Sequence, residues 1–585
     1  MSQVSLTILE PRGVLEDPKR VGLSAPRLDT LNGKTIALMS INIPGRFGAT
    51  ADPFFDVLER KLLERYPEAK FLRMDSFGTP VAPPSKALEV AAQCDAWIEG
   101  VKDSHSQARH DAGVCMEQAG RPGVSLSVDV LIRAKQANQD INGMPAVRIA
   151  TVPATDYCAA KYNDPAMERV VDGCIDDIIY KLTAPLTDEE KRSYDMPNDQ
   201  SPKTFEGASY GEAYEKFLEY LDAGHLYDGH AVAPPTPEAV DWMLTGTTYP
   251  RDKVIGMMEP KRGCATVEKI AIAAVMAGAK PEHLPLLIAI IETLTDPGFN
   301  QFHVVNEILP AIFVSGPLVK ELGLNTKVGY LAPGFRPNSS IGRAVLMCMI
   351  TIGWRDMTIY ASPGGPGRPA AYGNIFVCEN QEDSPWESFA EQYGYGPDET
   401  VVTACEYINE ARGPAESLGY GSFEERLASV TALFGRNCSV FGGFGLPRFA
   451  KGQRHMLVMH PTLARQLAEH GFTKRSFVEY CYNQNAIDYD TMTEEQREAL
   501  REELRKDNAV GRMGLTPEDV KPGLHREPFS QPEHLMVFVS GSGSGNTNLY
   551  ETSSGSSAGQ LGGLTESRPW MIKVVHGAAL TKYGK

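Results

Sequence analysis

A chain of 585 residues exceeds what one hydrophobic core can fill, and at roughly 150 residues per domain it implies three or four units. Its net charge of −17 repels polyphosphate and no basic run offsets it, so nucleic acid is not an expected partner. With 42% hydrophobic and 22% charged residues the composition is globular, and no apolar run reaches the roughly 18 to 20 residues of a membrane span, so no membrane association is expected.

After a leader of residues 1–33, expected to be irregular, strand-like runs alternate with helical patterns. The strands are Thr35–Ser40, Lys70–Met74, Ala96–Gly100, Gly123–Val128 and Val147–Thr151; the helices are Phe54–Tyr66, Ser85–Gln93, Ser106–Ala119, Val130–Gln139 and Ala166–Leu182. This order needs crossover connections, which predicts a doubly wound, mostly parallel sheet over residues 34–185 with ligands at the strand C-terminal ends. Residues 186–234 are polar and proline-rich and read as a linker with one docking helix, Ala213–Asp222. A second α/β domain follows over 235–397, with helices Thr266–Ala277 and Leu284–Leu294 and then glycine- and proline-punctuated loops. The third, 398–585, carries strands Thr400–Ala404, Ser439–Phe441, Met456–Met459 and His534–Val539, a charged helix near Glu494–Lys506 and a Ser/Gly-rich tail. The fold class expected is therefore α/β, an N-terminal doubly wound parallel-sheet domain plus one or two further α/β domains.

Ten cysteines lie scattered with no C-x-x-C pair and no zinc-type Cys/His spacing. Most sit among apolar neighbours and read as small core residues. The N-terminus has no positively charged segment followed by an apolar run, so a cytoplasmic location is the expectation.

The first candidate site is Glu99-Gly100-Val101-Lys102-Asp103-Ser104-His105-Ser106-Gln107-Ala108-Arg109-His110, where a strand gives way to a helix. Unpaired N–H groups at such a point receive an anion. Ser104 suits the cap and His105 or His110 a proton shuttle; an ordinary N-cap followed by surface histidines explains the same residues. Gly100-Val101-Lys102-Asp103, then Asp111 and Gly120-Arg121-Pro122-Gly123, and Val152-Pro153 after the fifth strand, resemble the UGSC-motif family. In a looser way they are similar to the selenoprotein B subunits of glycine and betaine reductases. Members of the UGSC-motif family carry Gly-x-Gly-Asp followed by Cys-Gly-Ser-Cys, or selenocysteine in the first place. Here the matching redox positions are Ser104 and Gln107, with His105 for the glycine between them. Serine and glutamine form no mixed disulfide, and a serine hydroxyl needs an adjacent base to attack, so redox chemistry is disfavoured and acid–base or nucleophilic work, or a decayed site, remains.

The resemblance continues through Cys264-Ala265-Thr266-Val267-Glu268-Lys269, Ser315-Gly316-Pro317, Pro333-Gly334-Phe335-Arg336-Pro337-Asn338, Ile341-Gly342-Arg343-Ala344 and Glu379-Asn380-Gln381-Glu382-Asp383-Ser384-Pro385-Trp386. Read from the residues alone, Lys261 and Arg262 precede a helix start, a field that would lower the pKa of Cys264; a small residue at a buried helix start explains it as well. His303 lies in a loop, and Arg336 and Asn338 in another, where a guanidinium can grip a carboxylate. Glu379, Glu382 and Asp383 suit a metal or shared acid–base work, although a solvated acidic loop is the commoner cause. Pro363-Gly364-Gly365-Pro366-Gly367-Arg368-Pro369 and Ser540-Gly541-Ser542-Gly543-Ser544-Gly545-Asn546 lack phosphate-loop spacing, and no motif indicates a cofactor.

The leading expectation is a small-molecule enzyme of lyase, hydrolase or transferase type acting without redox change on a carboxylate-bearing substrate in an interdomain cleft. Ser104, His105, Cys264, His303 and Glu379 would be catalytic, and Asp103, Ser106, Lys261, Arg262, Arg336, Asn338 and Arg343 would bind substrate; no metal ligand is assigned. The partner is a small anionic organic molecule, with a homo-oligomer open. The alternatives are a non-catalytic binding or scaffold subunit with a decayed site, and a thiol enzyme using Cys264.

Overall fold

The computed structural model describes residues 4–41, 52–76, 84–102, 110–160, 164–299, 309–360, 375–412, 422–436, 455–484, 486–506, 517–526, 532–542, 548–552 and 570–585. It is a multidomain α/β fold.

The leader is not irregular. Its strands β1 (Val4–Ile8), β2 (Val14–Leu15) and β3 (Lys19–Arg20) pair with partners far along the chain, because isolated extended backbone needs an edge to bond to.

The N-terminal domain follows in the expected order: β4 (Thr35–Ser40), α1 (Pro53–Arg65), β5 (Lys70–Asp75), α2 (Pro84–Ala91), β6 (Ala96–Lys102), α3 (Ala112–Gln118), β7 (Gly123–Val128), α4 (Ile132–Ile141), β8 (Ile149–Val152), α5 (Ala154–Ala160) and α6 (Asp164–Thr183). All sheet pairings are parallel, in the order β5-β4-β6-β7-β8. The strand period of two sends Ile36, Leu38, Ile98, Val124 and Leu126 to one core with α1 and α6. Ala37, Met39 and Trp97 go to a second core with α2 and α3 on the opposite face. A Cβ on Gly123 would fall inside the Trp97 indole, and one on Gly113 would lie 2.7 Å from Trp97 Cη2, so these two glycines let strand and helix close around the ring.

The stretch read as a linker holds α7 (Asp188–Lys191), β9 (Tyr194–Asp195), β10 (Lys203–Gly207) and α8 (Tyr210–Gly224). β10 pairs with β1 and β9 with β3, which ties the leader to this stretch. Next come α9 (Pro237–Leu244), β11 (Val254–Met258), β12 (Gly263–Thr266), α10 (Val267–Met276) and α11 (Leu284–Leu294); both α10 and α11 are buried almost throughout, as their largely apolar composition requires.

The remaining strands, β13 (Leu309–Ser315), β14 (Ile375–Cys378), β15 (Val401–Arg412), β16 (His455–Met459), β19 (Leu535–Val539), β20 (Asn548–Thr552) and β21 (Ile572–Val574), make one seven-stranded mixed sheet; β17 (Ala486–Asp488) and β18 (Leu524–Arg526) form a small pair of their own. β13 pairs with β15 across the boundary expected at residue 397, because an exposed β13 edge would leave its backbone unbonded. The run Ser439–Phe441 lies outside the described residues.

Candidate functional site

In chain order the N-terminal sheet runs second, first, third, fourth, fifth, so the winding reverses between β4 and β6. At such a switch point the crossovers leave in opposite directions and open a crevice at the strand C-terminal ends. The connections leaving β4 and β6 are residues 42–51 and 103–109, which lie outside the described residues; Asp103, Ser104, His105 and Ser106 fall there, and His303 also lies outside.

What the described residues place beneath this crevice is a buried charge network. Glu99, on the same strand face as Trp97, accepts from Lys135 Nζ at 2.8 Å, from Ser76 Oγ at 2.6 Å and, more distantly, from Ser125 Oγ at 3.5 Å. The same ammonium lies 2.7 Å from Asp111 Oδ2, which also accepts from Asn138 Nδ2 at 2.8 Å. Asp111, Glu99, Lys135 and Asn138 are all about 2% exposed. Burial acts to raise the Asp111 carboxyl, but the Lys135 charge and the hydrogen bonds from Lys135 and Asn138 outweigh it and hold the group below its ordinary value. Burial likewise acts to lower Lys135, and Asp111 and Glu99 together hold it above its usual range. On the opposite sheet face Ser40 Oγ donates to Asp52 at 2.7 Å, and Asp52 caps α1 through Phe54 N and Phe55 N. Burial raises the Asp52 carboxyl despite those bonds. The Gly100–Val101 peptide at the end of β6 is cis.

The electrostatics differ from the sequence expectation. The helix start was expected at Ser106 with Ser104 as cap, but α3 begins at Ala112 and its own Asp111 caps it by accepting from Val114 N at 3.1 Å. The positive end of that helix is thus satisfied from within the chain. Sequence reasoning missed Lys135 and Asn138. Their signal was a stripe at helical spacing, Ala134, Lys135, Asn138 and Gln139, that is buried although largely polar.

The other expected site residues, where described, have local partners. Cys264 lies inside strand β12 between β11 and β2, two residues before the Thr266 cap of α10, so it does not feel a helix N-terminus directly. Burial and then Glu16 push its thiol up, the reverse of the activation expected. Lys261 binds Asp140 at 2.6 Å, and Arg262 pairs with Glu16 and, at 3.4 Å, with Glu259. Arg336, expected to hold an anion, donates to the Gly278 carbonyl at 3.2 Å. Arg343 grips Asp228 with two 2.8 Å bonds. Arg336 and Asn338, expected in a loop, open a helix, Arg336–Thr351, that also carries Arg343, and Asn338 exchanges bonds with the Asn325 backbone at 2.8 and 3.0 Å, fixing the turn before it. Glu379, expected as a base, is fully enclosed: it accepts from Ser315 Oγ at 2.5 Å and Phe389 N at 2.8 Å and faces Lys474 at 3.4 Å. Glu382 pairs with Lys320 and Lys327, and these two cations hold its carboxyl below the ordinary value. Among the described residues no cluster of three metal-ligating side chains occurs.

Residues 7–184 match the UGSC family. The matched span holds the whole parallel sheet and the Glu99, Lys135 and Asp111 network, while the resemblances past residue 184 lie beyond it. No curated protein and no solved structure matches the chain.

Proposed function

We propose that the chain is a small-molecule enzyme whose site is the crevice at the C-terminal ends of β4 and β6, working without redox change on a polar, carboxylate-bearing substrate. The observation that carries this reading is the Lys135 ammonium clamped between Glu99 and Asp111 under the switch point, since buried charges at strand C-termini are costly unless they serve a ligand or a unique packing. The network braces the floor from which β6 runs into Asp103, Ser104, His105 and Ser106. In this reading Ser104 and His105 perform attack or proton transfer. The non-redox assignment rests on Ser104 and Gln107 standing where the family carries its reactive pair, and on Cys115, the thiol of α3, being pushed up to about 11 by burial and then by Asp111 and Glu99. Cys264 as a nucleophile loses its support with its raised thiol.

The scaffold reading draws on a different observation. Lys261, Arg262, Arg336 and Arg343 each already have a partner within the chain. Incubating the purified chain with a panel of small hydroxy-, amino- and keto-acids, and following each by proton NMR without added thiol, separates the two. Turnover that disappears in Ser104→Ala but not in Cys264→Ala supports the enzyme reading. Binding with no turnover of any member favours the scaffold, and turnover that requires a thiol reductant overturns the non-redox assignment.

A further inference from the structure

We propose that α4 is a two-sided transmission element, through which docking of the later part of the chain sets the geometry of the Glu99, Lys135 and Asp111 network. The inward side of α4 holds Asp111 three times: Lys135 Nζ and Asn138 Nδ2 reach its carboxylate, and Asn142, the C-cap residue, accepts from its backbone N–H at 3.1 Å. The outward side belongs to other segments. Asp140 accepts from Arg20 Nε of β3 at 2.7 Å and pairs with Lys261 at 2.6 Å, and Arg133 donates to Thr358 at 3.2 Å. Helix Met357–Tyr360 also packs on α4. At the C-terminal end of α4, Val21 N bonds to the Gly143 carbonyl at 2.8 Å.

These contacts are built to hold rather than to decorate. Arg20 is 3% exposed and Asp140 is largely enclosed. Lys261 is itself fixed, its N–H bonded to the Gly353 carbonyl at 3.1 Å and its ammonium 5.9 Å from the Trp354 ring. A helix is stiff along its axis, so a shift of its Asp140 end moves Asn138, about half a turn away, and Lys135, about one and a half turns away, by a comparable amount. The ammonium then cannot keep short bonds to two carboxylates on different elements. The contiguous path is therefore Lys261 and Arg20 to Asp140, along α4 to Lys135 and Asn138, and to Asp111 and the start of α3. Coupling of this kind is reciprocal, so perturbing the network must also loosen the Lys261 side.

The inference rests on the proposed site only in naming what the network supports, and its test reads backbone exchange, so transmission can fail while the site reading stands. The reporter is the Val114 amide, bonded to Asp111 Oδ1 and far along the path from Lys261. Hydrogen exchange of the full chain is compared for wild type, Lys261→Gln and Asp140→Asn; Lys261→Gln removes only a partly exposed partner and serves if Asp140→Asn does not fold. Transmission predicts exchange at Val114 faster by about five-fold or more in each folded variant. In Lys135→Met it predicts a matching loss of protection at the Lys261 amide. Acceleration confined to residues 19–21 and 259–263, with Val114 unchanged, overturns it.

Discussion

Lys135 follows Asp111 by 24 positions, yet its ammonium lies 2.7 Å from the Asp111 carboxylate while contacting Glu99 of a third element at 2.8 Å. Removing that one cation strands two buried carboxylates. Lys135→Met is therefore expected to cost about 3–5 kcal/mol, measured by chemical denaturation. The triple variant Glu99→Gln, Asp111→Asn, Lys135→Met should be more stable than the single one. A single variant as stable as wild type would mean that the network carries little.

Acid should weaken the fold well above the carboxylate range. Burial lowers His283 and His460 to about 4 each, and burial together with His534 lowers His455 to about 3. Each is neutral when folded and takes up a proton near 6.5 when unfolded. The unfolded chain thus binds more protons between pH 6.5 and about 4, so stability is full above 6.5 and falls through that window. Asp111, with its lowered folded value, contributes stability that is fully present above about pH 4 and is lost as pH falls below it, outside the histidine window. His460 Nδ1 accepts from Leu463 N at 3.3 Å, so its protonation also removes a helix cap. A melting temperature flat from pH 7 to 4.5 would contradict this.

Gly123→Ala is expected to destabilise the N-terminal domain by roughly 1–3 kcal/mol or more, because the new Cβ meets the buried Trp97 indole, which has no room to move. Tryptophan fluorescence during denaturation reads it directly. An unchanged midpoint would mean that the ring can be repacked.

Much of the N-terminal sheet was legible in the sequence: β4 and β7 span the residues expected because apolar runs bounded by helical patterns leave few other registers. The seven-stranded sheet was not, since β13 and β15 pair over a sequence distance that no local pattern encodes. For the site, Glu99 and Asp111 stood in the quoted motif, but the third charge did not. Lys135 acquires its meaning only when the crossover lays α4 over β6 and α3, which periodicity alone does not place. Arg343 illustrates the converse: a cation expected to hold substrate proves to sit within a helix and to be bound to Asp228.

Thiol reactivity should follow exposure rather than the sequence expectation. Cys158 is exposed on α5, whereas Cys264 is half-buried with its thiol raised by burial and by Glu16. Iodoacetamide followed by peptide mass spectrometry should label Cys158 before Cys264 at neutral pH. Fastest labelling at Cys264 would restore it as a nucleophile.

The proposed site itself is tested most directly by crystallographic soaking of the full chain with small polar carboxylic acids. The account predicts that fragments gather at the C-terminal ends of β4 and β6, over Ser40, Glu99 and Ser76, and that Lys135→Met loses them. Fragments that gather only at the loops following β13 and β14, with the switch point empty, would contradict it.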